Sequence, residues 1–486
     1  MVEIAAVTRS TPGGEAAASR RGRLRALLLL AMLLLGSLAA WAQDARMAYL
    51  LVYAWFGVAY GLLLQYGRFC MASAVRDLFA VRVPRMAVGM MIAVALYALV
   101  AAAVSLSGFN TFHPNPLGWH VLIGAAIFGL GIVFTGGCAS GSLYKAGEGN
   151  LASALVVVSI SFTQALVVGS SGGSDWVSSD WKASAMAKDM PAELDVGHGW
   201  FDLFIAGHIW DLKAVTAAQL LGVAESPGLA VLANTGLVAL VPVLVILLLL
   251  YAVYYRPGHL RRAKISRPRV TDHLAGIWAM ATSSRNTALA GAGLGVLAGA
   301  HMWVTGALRE HYGIGNFGEL LAAMGHPDGL SIQDTVFDPG YWYITTQEAQ
   351  WGGWVLERLG WALRDNIFFG LDNGLPPPWL NAPGFMSIGI ILGAAMMALA
   401  RREFKWKPPN LEAAVFALAG GALMGLGARI AMGCNIGAFF ATITNGDPSG
   451  WIFLLGMSLG AWVGVKAFTW WVDWQAARRG DELSLP

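Results

Sequence analysis

Ten stretches of this 486-residue chain are each long enough, and nearly free enough of charge, to cross a hydrocarbon layer. They lie at about 25–42, 47–66, 86–108, 118–138, 151–170, 229–255, 286–307, 384–400, 411–432 and 451–472. Such runs leave few folds open, because backbone polar groups have no water to bond in a bilayer and must pair within a helix. Composition agrees: 56% of residues are hydrophobic and only 13% charged, values that a water-soluble domain would struggle to keep dispersed. The expected fold is an all-α polytopic membrane protein of about ten transmembrane helices. A net charge of +3 concentrated in a few loops reads as a topology signal, not as a nucleic-acid surface. Three cysteines without a C-x-x-C pair speak against a disulfide framework and a closed zinc site, and no cofactor or metal is called for.

Orientation follows from the short basic loops. The richest is RPGHLRRAKISRPR, with Arg256, Arg261, Arg262, Lys264, Arg267 and Arg269 between two spans, and it is expected in the cytoplasm. Counting outward from it places Arg82 and Arg85, the RREFKWK loop (Arg401 to Lys407) and Arg478-Arg479 on the same side, with both termini inside if the first span is retained. That first run, after Arg20, Arg21 and Arg23, also resembles a signal peptide; retention is the reading adopted. The chain then divides into a basic N-terminus with its first apolar segment (1–46), a first membrane half (47–170), a periplasmic insertion (171–228), helices around the basic loop (229–308), a second periplasmic insertion (309–383), and a second membrane half with a cytoplasmic tail (384–486). The insertions carry Trp176, Trp181, Trp200, Trp210, Trp342, Trp351, Trp354 and Trp361, which are expected to anchor interfacial helices at the lipid headgroups.

The chain repeats itself. A shift of 296 lays GLGIVFTGGCASG on GLGARIAMGCNIG, sharing the pattern G-L-G-x5-G-C-x2-G. Gly137, Cys138 and Gly141 thereby match Gly433, Cys434 and Gly437. By the span count the first copy runs inward and the second outward, the inverted arrangement of many secondary transporters, whose sites lie where helices break near the midplane. Two pseudo-symmetric halves with broken, glycine-rich helices are therefore expected. A weaker echo lays GRFCMASAVRD on AHMWVTGALRE, but Trp303 stands where the third cysteine, Cys70, would be repeated.

Glycines on both sides of each cysteine allow close packing and unwound backbone, and an unwound turn with a half-helix behind it offers N–H groups to an anion. Any single cysteine in an apolar span is most simply a small buried hydrophobe. Three of them, each at a span end or break, suit a path for a sulfur-bearing anion. Arg429, five residues before Cys434 and within a span, calls for an anion or a carboxylate to neutralise it. Arg76, Asp77 and Lys145 fit the cytoplasmic interface. Gln65, Ser140, Asn435, Thr442 and Thr444 could complete a lining. No acidic residue falls mid-span as a proton carrier.

The GRFCMASAVRD, GGCASG and MGCNIG segments resemble the three cysteine motifs of the YeeE/YedE sulfur-transport family, which includes bacterial thiosulfate permeases. The resemblance covers about 47–170 and 286–472 and implies an inner-membrane, non-enzymatic permease for thiosulfate or a related small anion, with Cys70, Cys138 and Cys434 lining a narrow path. It also implies a small sulfur-carrier protein on the cytoplasmic side as partner, and some relatives are tied to selenium. The alternatives are a selenium-compound transporter, a membrane protein for thiol redox or sulfane-sulfur transfer, and a structural subunit with inert thiols.

Overall fold

The computed structural model of the chain describes residues 12–109, 118–169, 217–313, 320, 323–325, 344–361, 378–431, 433–444 and 446–479. Trp176, Trp181, Trp200, Trp210 and Trp342 lie outside the described residues, as does most of both long polar segments. All ten apolar runs form helices. Among the described residues nine helical stretches have the length and hydropathy of a span, and Leu151–Val167 is a shorter apolar helix. The protein is an all-α polytopic membrane protein.

In chain order the helices are α1 (Pro12–Gln43), α2 (Met47–Gly67), the short α3 (Met71–Ala80), α4 (Arg85–Leu106), α5 (Trp119–Thr135), the short α6 (Ala139–Gly147) and α7 (Leu151–Gly169). They continue with α8 (Pro227–Arg262), α9 (Val270–Ala281), α10 (Arg285–Tyr312), α11 (Ile344–Arg358), α12 (Ala382–Ala400), α13 (Leu411–Ile430), α14 (Asn435–Thr444) and α15 (Ser449–Arg479). Local chemistry sets several ends. Asn381 and Asn410 cap α12 and α13 by accepting from the Gly384 and Ala413 amides at 3.0 and 2.8 Å. Gly136 and Gly313 close α5 and α10 in the left-handed region that favours glycine.

In lipid the helices gain little from hydrophobicity between them, so close packing over small residues must hold them. The contacts are of that kind. α2 lies parallel to α12, with Gly57 against Met386 and Gly61 against Ile390. α4 lies parallel to α10, with Gly89 against Thr287 and Gly295 against Ala93. α5 sits between α15, which runs the same way, and α13, which runs opposite. At the α5–α15 seam a Cβ on Gly460 would stand 2.6 Å from the Ala126 carbonyl carbon, with no flexible side chain to yield. Gly460→Leu is therefore expected to cost more than the ~1–3 kcal/mol usual for overpacking. It should lower both yield and unfolding temperature in detergent. Gly36→Leu, where a Cβ meets no described atom within 4 Å, serves as the control.

The basic segments gather at one end of the bundle. Gly22, among the N-terminal arginines, abuts Leu399; Arg68 pairs with Glu403 at 3.2 Å; and Asn150 bridges to Lys407. Burial pushes the Glu403 carboxyl up, but a hydrogen bond from Gln65 and the Arg68 guanidinium outweigh it and hold it below the usual carboxylate range. α9, which the apolar runs do not anticipate, exposes Val270, Leu274 and Trp278 and packs on α4 and α8, as an interfacial helix would.

One part of the second polar segment packs into the helix bundle. α11 is inserted against α7 and α12, with Thr345, Gln347, Glu348 and Gln350 all buried. Gln164 of α7 donates to the Thr345 carbonyl at 2.7 Å, and Asn381 donates to Gln350. Trp351 of the same helix packs on the core instead of marking an interface. Trp354 meets Trp379 edge to face with Arg358 over its ring, while Trp361 is exposed.

Candidate functional site

Each of the three cysteines stands at a helix break, and each is the residue that caps the helix beginning there. Cys70 precedes α3, Cys138 precedes α6 and Cys434 precedes α14, all in extended backbone. The two repeated positions adopt nearly the same conformation, φ/ψ −84°/−179° at Cys138 and −92°/−179° at Cys434. Their sulfurs accept from the first-turn amides of Gly141 and Ile436, both at 3.4 Å. The glycine-rich flanks thus do what an unwound membrane helix requires: they leave backbone donors free, and here the thiols take up part of that capacity. Three helix N-termini, each with partial positive charge, are set at cysteine sulfurs.

The breaks converge. The Cys70 and Cys138 sulfurs are 3.9 Å apart, both buried, in hydrogen-bond contact and not joined by a disulfide. Asn435, next to Cys434, donates to the sulfur of Met71, next to Cys70, at 3.0 Å. A small cavity between the breaks is lined by Phe69, Met71, Ser140, Ile436, Leu64 and Phe440, so residues within two positions of each cysteine face one space.

The remaining candidates separate. A Cβ on Gly141 would stand 2.9 Å from the Cys70 sulfur and 3.3 Å from that of Cys138, so this glycine is what lets the two thiols meet. Its repeat partner Gly437 faces no described atom within 4 Å. Gly137 lies beside the Lys145 ammonium and Gly433 beside Ala438. Arg429 is buried, 3% exposed, and within electrostatic reach of Cys434. Ser140 reaches the Cys138 sulfur at 3.3 Å. Gln65, by contrast, turns to Glu403, and the hydroxyls of Thr442 and Thr444 donate to carbonyls of their own helix. Arg76 pairs with Asp77 at 2.8 Å, and Lys145 donates to the Gly136 carbonyl at 2.6 Å, closing the end of α5.

Two residues close to Cys434 are missing from the sequence-based set. Thr345 and, one turn on, Glu348 lie within electrostatic reach of its thiol. Both come from α11, which is too short and too polar to register as a span, and no pattern in the sequence ties it to the repeat.

The thiosulfate transporter TsuA of Escherichia coli K12 is 26% identical over 407 residues, 84% of this chain and 91% of its own. That of Spirochaeta thermophila is 27% identical over 414 residues, 84% of this chain and 95% of its own. A family model described as sulphur transport matches residues 66–463, a range that begins just before the first cysteine break and ends well beyond the last, and the chain belongs to that family.

Proposed function

We propose that the protein takes up thiosulfate, or a related small sulfur anion, across the bacterial inner membrane through a path lined by Cys70, Cys138 and Cys434. The observation that carries this reading is that three cysteines hold the N-cap positions of three helices, with residues within two positions of each lining one cavity. Backbone N–H groups and helix dipoles offer positive potential to a dianion, while weakly bonding, polarizable thiols hold its terminal sulfur without trapping it. Both TsuA relatives carry thiosulfate in their names.

An inverted two-fold arrangement of the halves 47–170 and 384–486 supports a path open in turn to each side. At the α5–α13 crossing Gly124 meets Ala431 and Gly420 meets Thr135; the two contacts exchange under the repeat shift, since 124 + 296 = 420 and 431 − 296 = 135. The clustered basic segments support a cytoplasmic location for that end and for both termini, where a sulfur-carrier protein would receive the product.

The test is uptake of radiolabelled thiosulfate into proteoliposomes holding each cysteine variant. Cys70→Ala, Cys138→Ala and Cys434→Ala should each lower the initial rate at least ~10-fold, the effect of losing ~1.4 kcal/mol at the barrier. Full rates for all three would sink the cysteine path. The rival reading, sulfane-sulfur or electron transfer through transient persulfides or disulfides, draws on the same 3.9 Å separation and predicts a trappable adduct on Cys70 or Cys138 during turnover.

A further inference from the structure

The mechanism above leaves a buried carboxyl group, that of Glu348, unused. Glu348 is fully buried (0% exposed), and among the described residues neither carboxylate oxygen has a hydrogen-bond partner. It sits one turn beyond Thr345, and both residues lie within electrostatic reach of the Cys434 thiol. A carboxylate kept dry and unbonded in a membrane protein is costly, so such groups mark ion or proton pathways.

We propose that Glu348 is a proton-binding site loaded together with the anion at Cys434, which makes this transporter a proton–anion symporter. The inference rests on the transport reading above. Its logic is electrostatic. An ionised Glu348 and a thiosulfate dianion beside Cys434 would be like charges in one water-poor space, where repulsion is screened little. Protonation removes that repulsion and supplies an O–H donor for the anion. Anion binding must in turn raise the affinity of Glu348 for its proton by the same factor, because coupling between two sites is reciprocal. One proton entering with each dianion moves one net negative charge, so a pH gradient, acidic outside, drives accumulation.

The charged surroundings allow this. On α13 Arg429 lies within electrostatic reach of Cys434, and on α14 the group is the Cys434 thiol itself. The described parts of α7 and α12 bring polar but no ionisable side chains, Gln164 and Ser387 among them. On α6, Tyr144 and Lys145 lie toward the basic end, where Lys145 is held by the Gly136 carbonyl. On α11 itself Arg358 stacks over Trp354, ten residues further along.

The experiment uses the purified full chain in proteoliposomes with internal pH 7.5, radiolabelled thiosulfate and trapped pyranine. Wild type should take up thiosulfate several-fold faster at external pH 5.5 than at 7.5, accumulate it above the external concentration, and acidify the lumen only when thiosulfate is added. Glu348→Gln, fixed in the neutral form, should retain downhill uptake whose rate no longer varies with pH, without accumulation or acidification. Glu348→Asp should restore pH dependence, which guards against a Gln variant that fails to fold. Wild-type uptake flat in pH with no lumenal acidification overturns the coupling alone, as does a Glu348→Gln variant that still acidifies. No thiosulfate uptake under any gradient overturns the transport reading and the coupling with it.

Discussion

Gly141→Val should abolish thiosulfate uptake, and Gly437→Val, at the matching position of the other half, should leave the protein folded while slowing uptake. The two glycines are equivalent in sequence and opposite in surroundings. At Gly141 even a methyl group would press on the sulfurs of Cys70 and Cys138, at 2.9 and 3.3 Å, so a branched side chain must drive them apart. Overpacking of this kind costs ~1–3 kcal/mol, and because the displaced atoms are those meant to touch the anion, a fall in rate of ~100-fold is expected. Gly141→Ala should fall between. At Gly437 a side chain meets no described atom within 4 Å, so the unfolding temperature in detergent should stay within about 2 °C of wild type. A slower rate there would mark that open space as part of the path. Normal uptake by Gly141→Val, or unfolding of Gly437→Val, would refute the assignment.

The asymmetry explains what the sequence could and could not disclose. Membrane helices announce themselves by length and hydropathy, and every apolar run from 47–66 to 451–472 formed a helix. The repeat disclosed the breaks, because G-C-x2-G at both copies requires unwound backbone, and Cys138 and Cys434 adopt nearly the same dihedrals. Cys70 was harder: its motif lacks a cysteine partner, and only packing reveals that it fills the space beside Gly141 that stays open beside Gly437. Polar side chains were legible as a class, not as partners. Gln65 serves Glu403, and Thr442 and Thr444 bond back to their own helix, an option open to any threonine in a span. α11 was illegible for a stronger reason. Its polar residues look solvent-facing to any reading based on hydropathy, and their burial depends on α7 and α12, far away in sequence. The buried acidic residue therefore stands in the second polar segment and not in an apolar run.

Arg429→Gln should weaken thiosulfate binding with little change in fold. The side chain is 3% exposed in α13 and within electrostatic reach of Cys434, at the mouth of the second break. A hydrogen bond to a charged group is worth ~1.5–3 kcal/mol, so the Michaelis constant should rise roughly 10- to 100-fold. Lysine cannot reproduce the planar fork of guanidinium donors that suits an oxyanion, so Arg429→Lys should recover part of the affinity and not all of it. If Arg429 only supported the packing of α13, the two variants would lower the unfolding temperature and leave the Michaelis constant alone. If it belongs to the anion path, the order wild type, lysine, glutamine should appear in the Michaelis constant while the unfolding temperature stays nearly level. Combining Arg429→Gln with Glu348→Gln adds a sharper discrimination. Both groups act on Cys434, so their effects on affinity should depart from additivity, as expected for charges that share one partner and not for two separate packing defects.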